Sequence, residues 1–258
     1  MISSALIQEL AELLESAERE GREIVKITDA HPEIDIRDAY LIQQRIRHIK
    51  ETNGHRAVGF KAGLTSRAKM LQMGVDSPIT GFLCDYFSVP SGGEIKMAEL
   101  IHPKVEPEIA FVLKKSLKGP GCHVGTVLAA TDFVVPALEI IDSRYRDFKF
   151  DLPSVIADNC SSSRFVIGEA MSPVAPLDLC TLGAVMEKNG EVIGVGAGAA
   201  VLGHPAAAVA MMANSRCEEI PAGSLVLSGA ITEAIAVKQG DSVRLRIQDL
   251  GTVSVRFV

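Results

Sequence analysis

Hydrophobic positions change their period along this chain, and the change divides it. Over residues 1–50 they recur at helical spacing. Leu6, Leu10, Leu13, Leu14 and Ala17 form one stripe, with Ser3 or Ser4 placed to cap it, which predicts an amphipathic helix. A second helix is predicted after Asp35, with Ala39, Ile42, Ile46 and Ile49 on one face. Pro32 and Asn53-Gly54 bracket it, and Gly54 suits the stop. From residue 57 the pattern becomes short β-like runs, at 57–62, 105–113, 132–141, 163–168 and 183–196. Asn189-Gly190 splits the last run as a hairpin turn does. Further strands are predicted towards the C-terminus. One helix precedes them, opening at His204-Pro205, where proline suits the first helical position, and running to about Ser215.

The order of elements predicts an α+β fold: a mainly helical N-terminal segment over residues 1–80 and a strand-rich body over 81–258, able to form one compact unit. Strands and helices do not alternate regularly, which disfavours a doubly wound parallel sheet. No internal repeat or low-complexity linker interrupts the chain. The glycine-rich stretch 194–198 follows the hairpin and does not open a helix after a strand. It reads as turn or close packing, not as a phosphate cradle.

Composition narrows the function classes. The chain has 258 residues, 47% hydrophobic and 22% charged, as a globular protein with a sizeable core has. A net charge of −6 argues against a nucleic-acid surface. No apolar run is long enough to span a bilayer, and the acidic N-terminus lacks the pattern of a secretory signal. Cys84, Cys122, Cys160, Cys180 and Cys217 are odd in number and include no CxxC pair. They suggest neither a disulfide framework nor a zinc site, and point to a reducing cytoplasm.

Three segments carry candidate chemistry. In Pro103-Lys-Val-Glu-Pro-Glu-Ile-Ala-Phe-Val-Leu, a strand would place Val105, Ile109, Phe111 and Leu113 on one side. Glu106 and Glu108 would project together from the other, about 7 Å apart along the strand. Ala110 and Val112 continue that face, so the two acids sit at the lip of a core, where a cation would relieve their repulsion. The plainer alternative is a solvated strand face, and Pro107 fits an edge strand under either reading. Glu139 is a lone charge in an apolar run, Phe-Val-Val-Pro-Ala-Leu-Glu-Ile-Ile. Burial there demands a partner: a metal, or a structural ion pair with Arg144 or Arg164. Lys61, in Gly59-Phe-Lys-Ala-Gly-Leu-Thr-Ser, precedes a helix capped by Thr65 or Ser66. It can pair with Glu139, face an anionic ligand or be a surface lysine. Residues 157–163, Ala-Asp-Asn-Cys-Ser-Ser-Ser, offer hydroxyls at a helix end or turn; the plainer alternative is an ordinary polar loop.

These segments together resemble one family. GFKAGLTS, HPKVEPEIAFVL, PALEIIDSRY, ADNCSSSRFVIG, VMEKNGEVIGVGAGAAVLGHP and GDSVRLRIQDLGTVSVRF look like the 2-oxopent-4-enoate hydratase and 4-oxalocrotonate decarboxylase family, within the fumarylacetoacetate hydrolase superfamily. The resemblance covers nearly the whole chain, in the family's order. It implies a mixed β-roll body with a helical N-terminal part. It implies Mg²⁺ or Mn²⁺ held by Glu106, Glu108 and Glu139, a catalytic lysine at Lys61 and a substrate-binding serine at Ser161. Three oxygen donors without His or Cys suit such hard cations.

Within the family the reaction is either addition of water or loss of CO2. The stretches AKMLQMGVDSPITGFLCDYFSV and IDSRYRDFKFDLPSVIADN resemble the decarboxylases. The hydratases carry an acid–base aspartate shortly after their G-V-D-x-P segment, where this sequence has Ile79. The expectation is therefore decarboxylation of 4-oxalocrotonate (2-oxohex-3-enedioate) to 2-hydroxypenta-2,4-dienoate, in the meta-cleavage degradation of aromatic compounds. A complex with a partner hydratase is implied too. The alternatives are the hydratase itself, a hydrolase of 1,3-diketone acids, an oxaloacetate decarboxylase and a non-catalytic partner subunit.

Overall fold

The structure is a computed structural model, which describes residues 1–215 and 218–258; Cys217 lies outside the described residues. The N-terminal segment folds as α1 (Ser4–Arg19), the short α2 (Ile27–Ala30) and α3 (Ile36–Thr52). Ser3 caps α1, its Oγ accepting from the Leu6 amide, and Leu10, Ala11, Leu14 and Ala17 form the buried stripe. Asp35 and Asp38 form a capping box that starts α3, and Gly54 takes the left-handed conformation just past its end.

The chain continues through β1 (Ala57–Gly63), α4 (Arg67–Met73), β2 (Ile79–Cys84), β3 (Ser88–Val89), β4 (Gly93–Ile95) and β5 (Lys104–Leu113). Then come α5 (Val124–Ala130), β6 (Thr131–Ile141), α6 (Leu152–Ala157), β7 (Ser162–Ile167) and β8 (Ser172–Pro173). Last are β9 (Gly183–Lys188), β10 (Glu191–Ala197), α7 (Pro205–Ser215), β11 (Leu225–Leu227), β12 (Ile235–Ala236), β13 (Ser242–Ile247) and β14 (Gly251–Phe257).

The strands form two mixed sheets. The larger runs β2-β1-β11-β5-β6-β7-β3, with β12 also on β5 and β8 also on β6. The smaller runs β10-β9-β13-β14-β4. Pairs β1/β11, β3/β7 and β4/β14 are parallel and the others antiparallel. Strands β13 and β14 pack across β6, so the sheets curl over one core, a mixed β-roll of the expected type. Their alternation is clean: Val243, Leu245 and Ile247 are buried while Ser242, Arg244 and Arg246 are exposed. No described helix is long and apolar enough to cross a membrane.

Two features differ from the sequence reading. Helix α5 was not expected, because Val-Gly-Thr-Val is poor helix sequence. It forms because His123 caps it, Nδ1 accepting from the Thr126 amide, and because it packs on α7. Strand β5 is not an edge strand. Pro107 lies opposite Leu138 of β6, between the stretches of β5 that β11 and β12 pair, and its carbonyl accepts from the Ile231 amide at 2.8 Å. A proline is tolerated in this interior strand because no ladder runs past it on that side. Strand β1, on the β-like run expected at 57–62, and the start of β2 belong to the larger sheet. The glycine-rich stretch does serve close packing: a Cβ on Gly198 would lie 1.8 Å from the Leu179 carbonyl oxygen.

Candidate metal centre and substrate site

The register of β5 on β6 builds the centre. Glu106 stands directly opposite Glu139, and Glu108 opposite Ala137, two positions on. Paired residues share a face, so all three carboxylates project from one side of the sheet. One oxygen from each lies within 4.8 Å of the others. Glu108 and Glu139 are fully buried and Glu106 is 9% exposed. Glu108 Oε2 accepts from the Gly229 amide at 2.7 Å. Gly229 has φ +107°, and a Cβ there would lie 2.1 Å from Thr65 Oγ1, so only glycine lets this backbone approach.

Lys61 reaches the same place from β1. Its Nζ is 3.1 Å from Glu139 Oε2 and donates to the Cys160 carbonyl at 3.2 Å. Of the alternatives for Lys61, the structure thus realises the pair with Glu139; the side chain is buried, not a surface lysine. Arg144 and Arg164, the other candidate partners of Glu139, go elsewhere. Arg144 pairs with Asp158, and Arg164 with Glu99 at 3.3 Å.

The charges do not balance: three carboxylates face one ammonium. Burial, then Glu139 and Glu106, push the Glu108 carboxyl well above its usual range, against Lys61 and the Gly229 amide. Burial also raises Glu139, with Glu106 adding to it and Lys61 opposing. Burial alone would lower Lys61, but Glu139 and Glu106 outweigh it and hold the ammonium charged. Glu108 Oε1 and Glu139 Oε1 have no hydrogen-bond partner from a donor group among the described residues, and Glu139 Oε2 has only the Lys61 ion pair. Buried anionic oxygens left open in this way fit a divalent cation, which would satisfy and neutralise them together.

Ser161 enters from a strained turn. Asn159, Cys160 and Ser161 all have positive φ, at 48°, 53° and 58°. Each costs about 1–3 kcal/mol for a residue with a side chain, so the surroundings must over-determine the conformation. They do. Asn159 lies against β2, its Oδ1 accepting from the Phe82 amide at 2.8 Å and its Nδ2 donating to the Phe82 carbonyl at 3.0 Å. Gly81 leaves the space, since a Cβ there would sit 2.8 Å from the Asn159 carbonyl oxygen. The buried Ser161 Oγ has no hydrogen-bond partner among the described residues. Ile79 is 5% exposed, opposite Gly63, while Lys61 is opposite Gly81. Both side chains therefore project from the same face, and Ile79 lies over Gly63. A cavity of about 650 Å³ between α3 and residues 75–80 is lined by Ile79 but by none of the three glutamates.

Sequence reasoning missed the Gly229 amide, the Cys160 carbonyl and the Arg144–Asp158 pair. The first two are backbone atoms, which no side-chain pattern announces. Arg144 was noticed as a charge, but its partner lies across a turn whose shape the sequence does not spell out.

A family model described as fumarylacetoacetate (FAA) hydrolase C-terminal matches residues 75–258. The chain is 59% identical over 252 residues to a 4-oxalocrotonate decarboxylase of Pseudomonas sp. (strain CF600), covering 96% of each. It is 40% identical over 262 residues to a 2-hydroxyhexa-2,4-dienoate hydratase of Comamonas testosteroni, covering 100% of this chain and 99% of that relative. The solved 4-oxalocrotonate decarboxylase from Pseudomonas putida G7, complexed with magnesium and adipate, matches with a TM-score of 0.98 at 54% identity, over 100% of this chain and 99% of that one. Two structures this close share strand order as well as motif order, and the chain belongs to the fumarylacetoacetate hydrolase superfamily, within the family of the 4-oxalocrotonate decarboxylases and their sister hydratases.

Proposed function

We propose that this chain is a divalent-metal-dependent carboxy-lyase that removes CO2 from 4-oxalocrotonate and forms 2-hydroxypenta-2,4-dienoate. The observation that carries the reading is the buried excess of carboxylate oxygen beside a charged lysine, with an isoleucine on the same sheet face. Glu106, Glu108 and Glu139 hold Mg²⁺ or Mn²⁺, and the magnesium of the Pseudomonas putida G7 relative supports this choice. When bound, such a cation supplies a Lewis acid for the carboxylate and carbonyl oxygens of a 2-oxo acid.

Loss of CO2 breaks the C5–C6 bond, and its electron pair delocalises through the C3–C4 double bond to the C2 oxygen. Lys61 puts a fixed, desolvated positive charge where that oxygen becomes negative, and it orients Glu139. Ser161 Oγ donates to the C1 carboxylate. Breaking the bond takes no proton from carbon, so an apolar Ile79 serves, and it keeps water away. Hydration needs a positioned acid–base group, which Ile79 cannot be. The dienol is what a sister hydratase consumes. A complex with such a hydratase, a place in meta-cleavage degradation of aromatic compounds, and a cytoplasmic location belong to the same reading.

The deciding assay gives purified protein with Mg²⁺ first 4-oxalocrotonate and then the dienol. CO2 should appear from the first, and no 4-hydroxy-2-oxopentanoate from the second. Hydration of the dienol without CO2 release would make the chain the hydratase. Tight Mn²⁺ binding with neither reaction would make it a non-catalytic partner.

A further inference from the structure

Strand β6 ends two residues after Glu139, and the segment that follows is tied to the turn carrying Ser161. Three hydrogen bonds of the Arg144 guanidinium go to that turn, and the fourth goes to the segment's own start at Asp142. Nε donates to Asp158 Oδ1, Nη2 to the Asp158 carbonyl, and Nη1 to the carbonyls of Ser162 at 3.1 Å and Asp142 at 2.7 Å. The Arg144 amide donates to Asp158 Oδ2 at 3.2 Å, and the Asp142 amide to the Ser161 carbonyl at 2.8 Å. Asp142 is held in turn, its carboxylate accepting from the amides of Ile101 and His102, each at 2.8 Å.

Arg144 and Asp158 are 2% and 1% exposed. A buried ion pair is weak evidence of stabilisation, because desolvation offsets its attraction; a planar donor fork that fixes several carbonyls at once is a device for geometry. The geometry it fixes is unusual. Three left-handed residues in a row aim the Cys160 carbonyl at Lys61 Nζ and leave Ser161 Oγ buried and unbonded. The one guanidinium bonds both the start of this turn, at Asp158, and its end, at Ser162.

We propose that Arg144, with Asp158, is a positioning residue for the reaction: it holds the 158–162 turn so that Ser161 and the Lys61 acceptor stay in register with the carboxylates on β5 and β6. This rests on the reading of Ser161 and Lys61 as substrate-facing groups. Arg144 touches none of the three glutamates, so the proposal separates substrate handling from metal binding.

The test is a double-substitution cycle in the full chain, with Arg144→Lys, Asp158→Asn and Ser161→Ala. Three quantities are read: Mn²⁺ affinity, CO2 release, and affinity of the Mn²⁺-loaded protein for 2-oxoadipate. This saturated 2-oxo dicarboxylate lacks the double bond that would accept the electron pair, so it binds without reacting. Arg144→Lys keeps the charge but not the fork; it should lower kcat by about tenfold or more while Mn²⁺ affinity stays within about twofold. In the Ser161→Ala background the same change should cost less than about threefold in 2-oxoadipate affinity, and clearly less in turnover than in the native background, because one of the two groups it positions is gone. Asp158→Asn should repeat the pattern, and it carries the comparison if Arg144→Lys does not fold. Equal losses with and without Ser161, no loss, or Mn²⁺ affinity falling in step with kcat would overturn the proposal. If the native protein releases no CO2, the assigned reaction fails instead, and the 2-oxoadipate cycle still decides the role of Arg144.

Discussion

Two ionic clusters of the described residues, one around Lys50 and one around Lys61, are built on opposite rules. In one, Lys50 reaches from α3 to Glu18 of α1 at 3.0 Å and to Tyr86 Oη at 2.7 Å, and Tyr86 donates to the other Glu18 oxygen at 2.7 Å. One anion meets one cation, and each Glu18 oxygen has a donor. Burial opposes ionisation of Glu18, but Lys50 and Arg144 outweigh it and its carboxyl stays below the usual range. In the other, Glu106, Glu108 and Glu139 share one Lys61, oxygens remain open, and Glu108 and Glu139 are raised. Burial is common to both, so burial does not mark a site. The charge deficit does: the first cluster is complete in the protein alone, and the second is completed by something bound.

The largest effect expected follows from that deficit. Glu106→Gln, Glu108→Gln and Glu139→Gln should each weaken Mn²⁺ binding, and EDTA should abolish turnover until Mg²⁺ or Mn²⁺ is restored. Full activity of any one variant at low metal would remove that residue from the ligand set.

Lys61→Ala should still bind Mn²⁺, since an ammonium has no lone pair for a metal, yet lose about a hundredfold in turnover. Unchanged kinetics would reduce Lys61 to a counter-ion.

The complete cluster should answer differently. Lys50→Met strands Glu18 with only Tyr86 as donor and should lower stability by about 2–3 kcal/mol, discounted because the Glu18 side chain is 15% exposed. Activity per folded molecule should hold. Lost activity at full stability would mean that this cluster also serves the chemistry.

The smallest effect separates the clusters by pH. Raised Glu108 and Glu139 carboxyls bind protons in the fold that the unfolded chain has already released. Stability of the metal-free protein should therefore fall as pH rises from the ordinary carboxylate range through the raised values. Glu18, depressed, contributes in the opposite sense: its stabilisation is present above the ordinary carboxylate range and lost as pH falls through its lowered value. Metal binding requires deprotonated oxygens, so Mn²⁺ affinity should rise with pH and protons should be released. Titration calorimetry in buffers of differing ionisation enthalpy measures both, and flat affinity with no proton release would contradict the assignment.

The sequence by itself determined the periodic elements and the odd charges. Capping, a 3.6-residue stripe and an Asn-Gly turn are local, so α1, α3, α7 and the β9–β10 hairpin could be read from neighbours in the chain. Glu106, Glu108 and Glu139 stood out because each broke an apolar pattern, and motif order placed them in a family. Tertiary structure alone decided what depends on partners distant in sequence. Register set Glu106 opposite Glu139. Packing on α7 made a helix of Val124–Ala130. The gap between β11 and β12 let Pro107 sit inside a sheet. Arg144 chose Asp158 over Glu139 because the turn brought several acceptors within reach of one guanidinium, and a planar fork of donors is satisfied only where the fold gathers them.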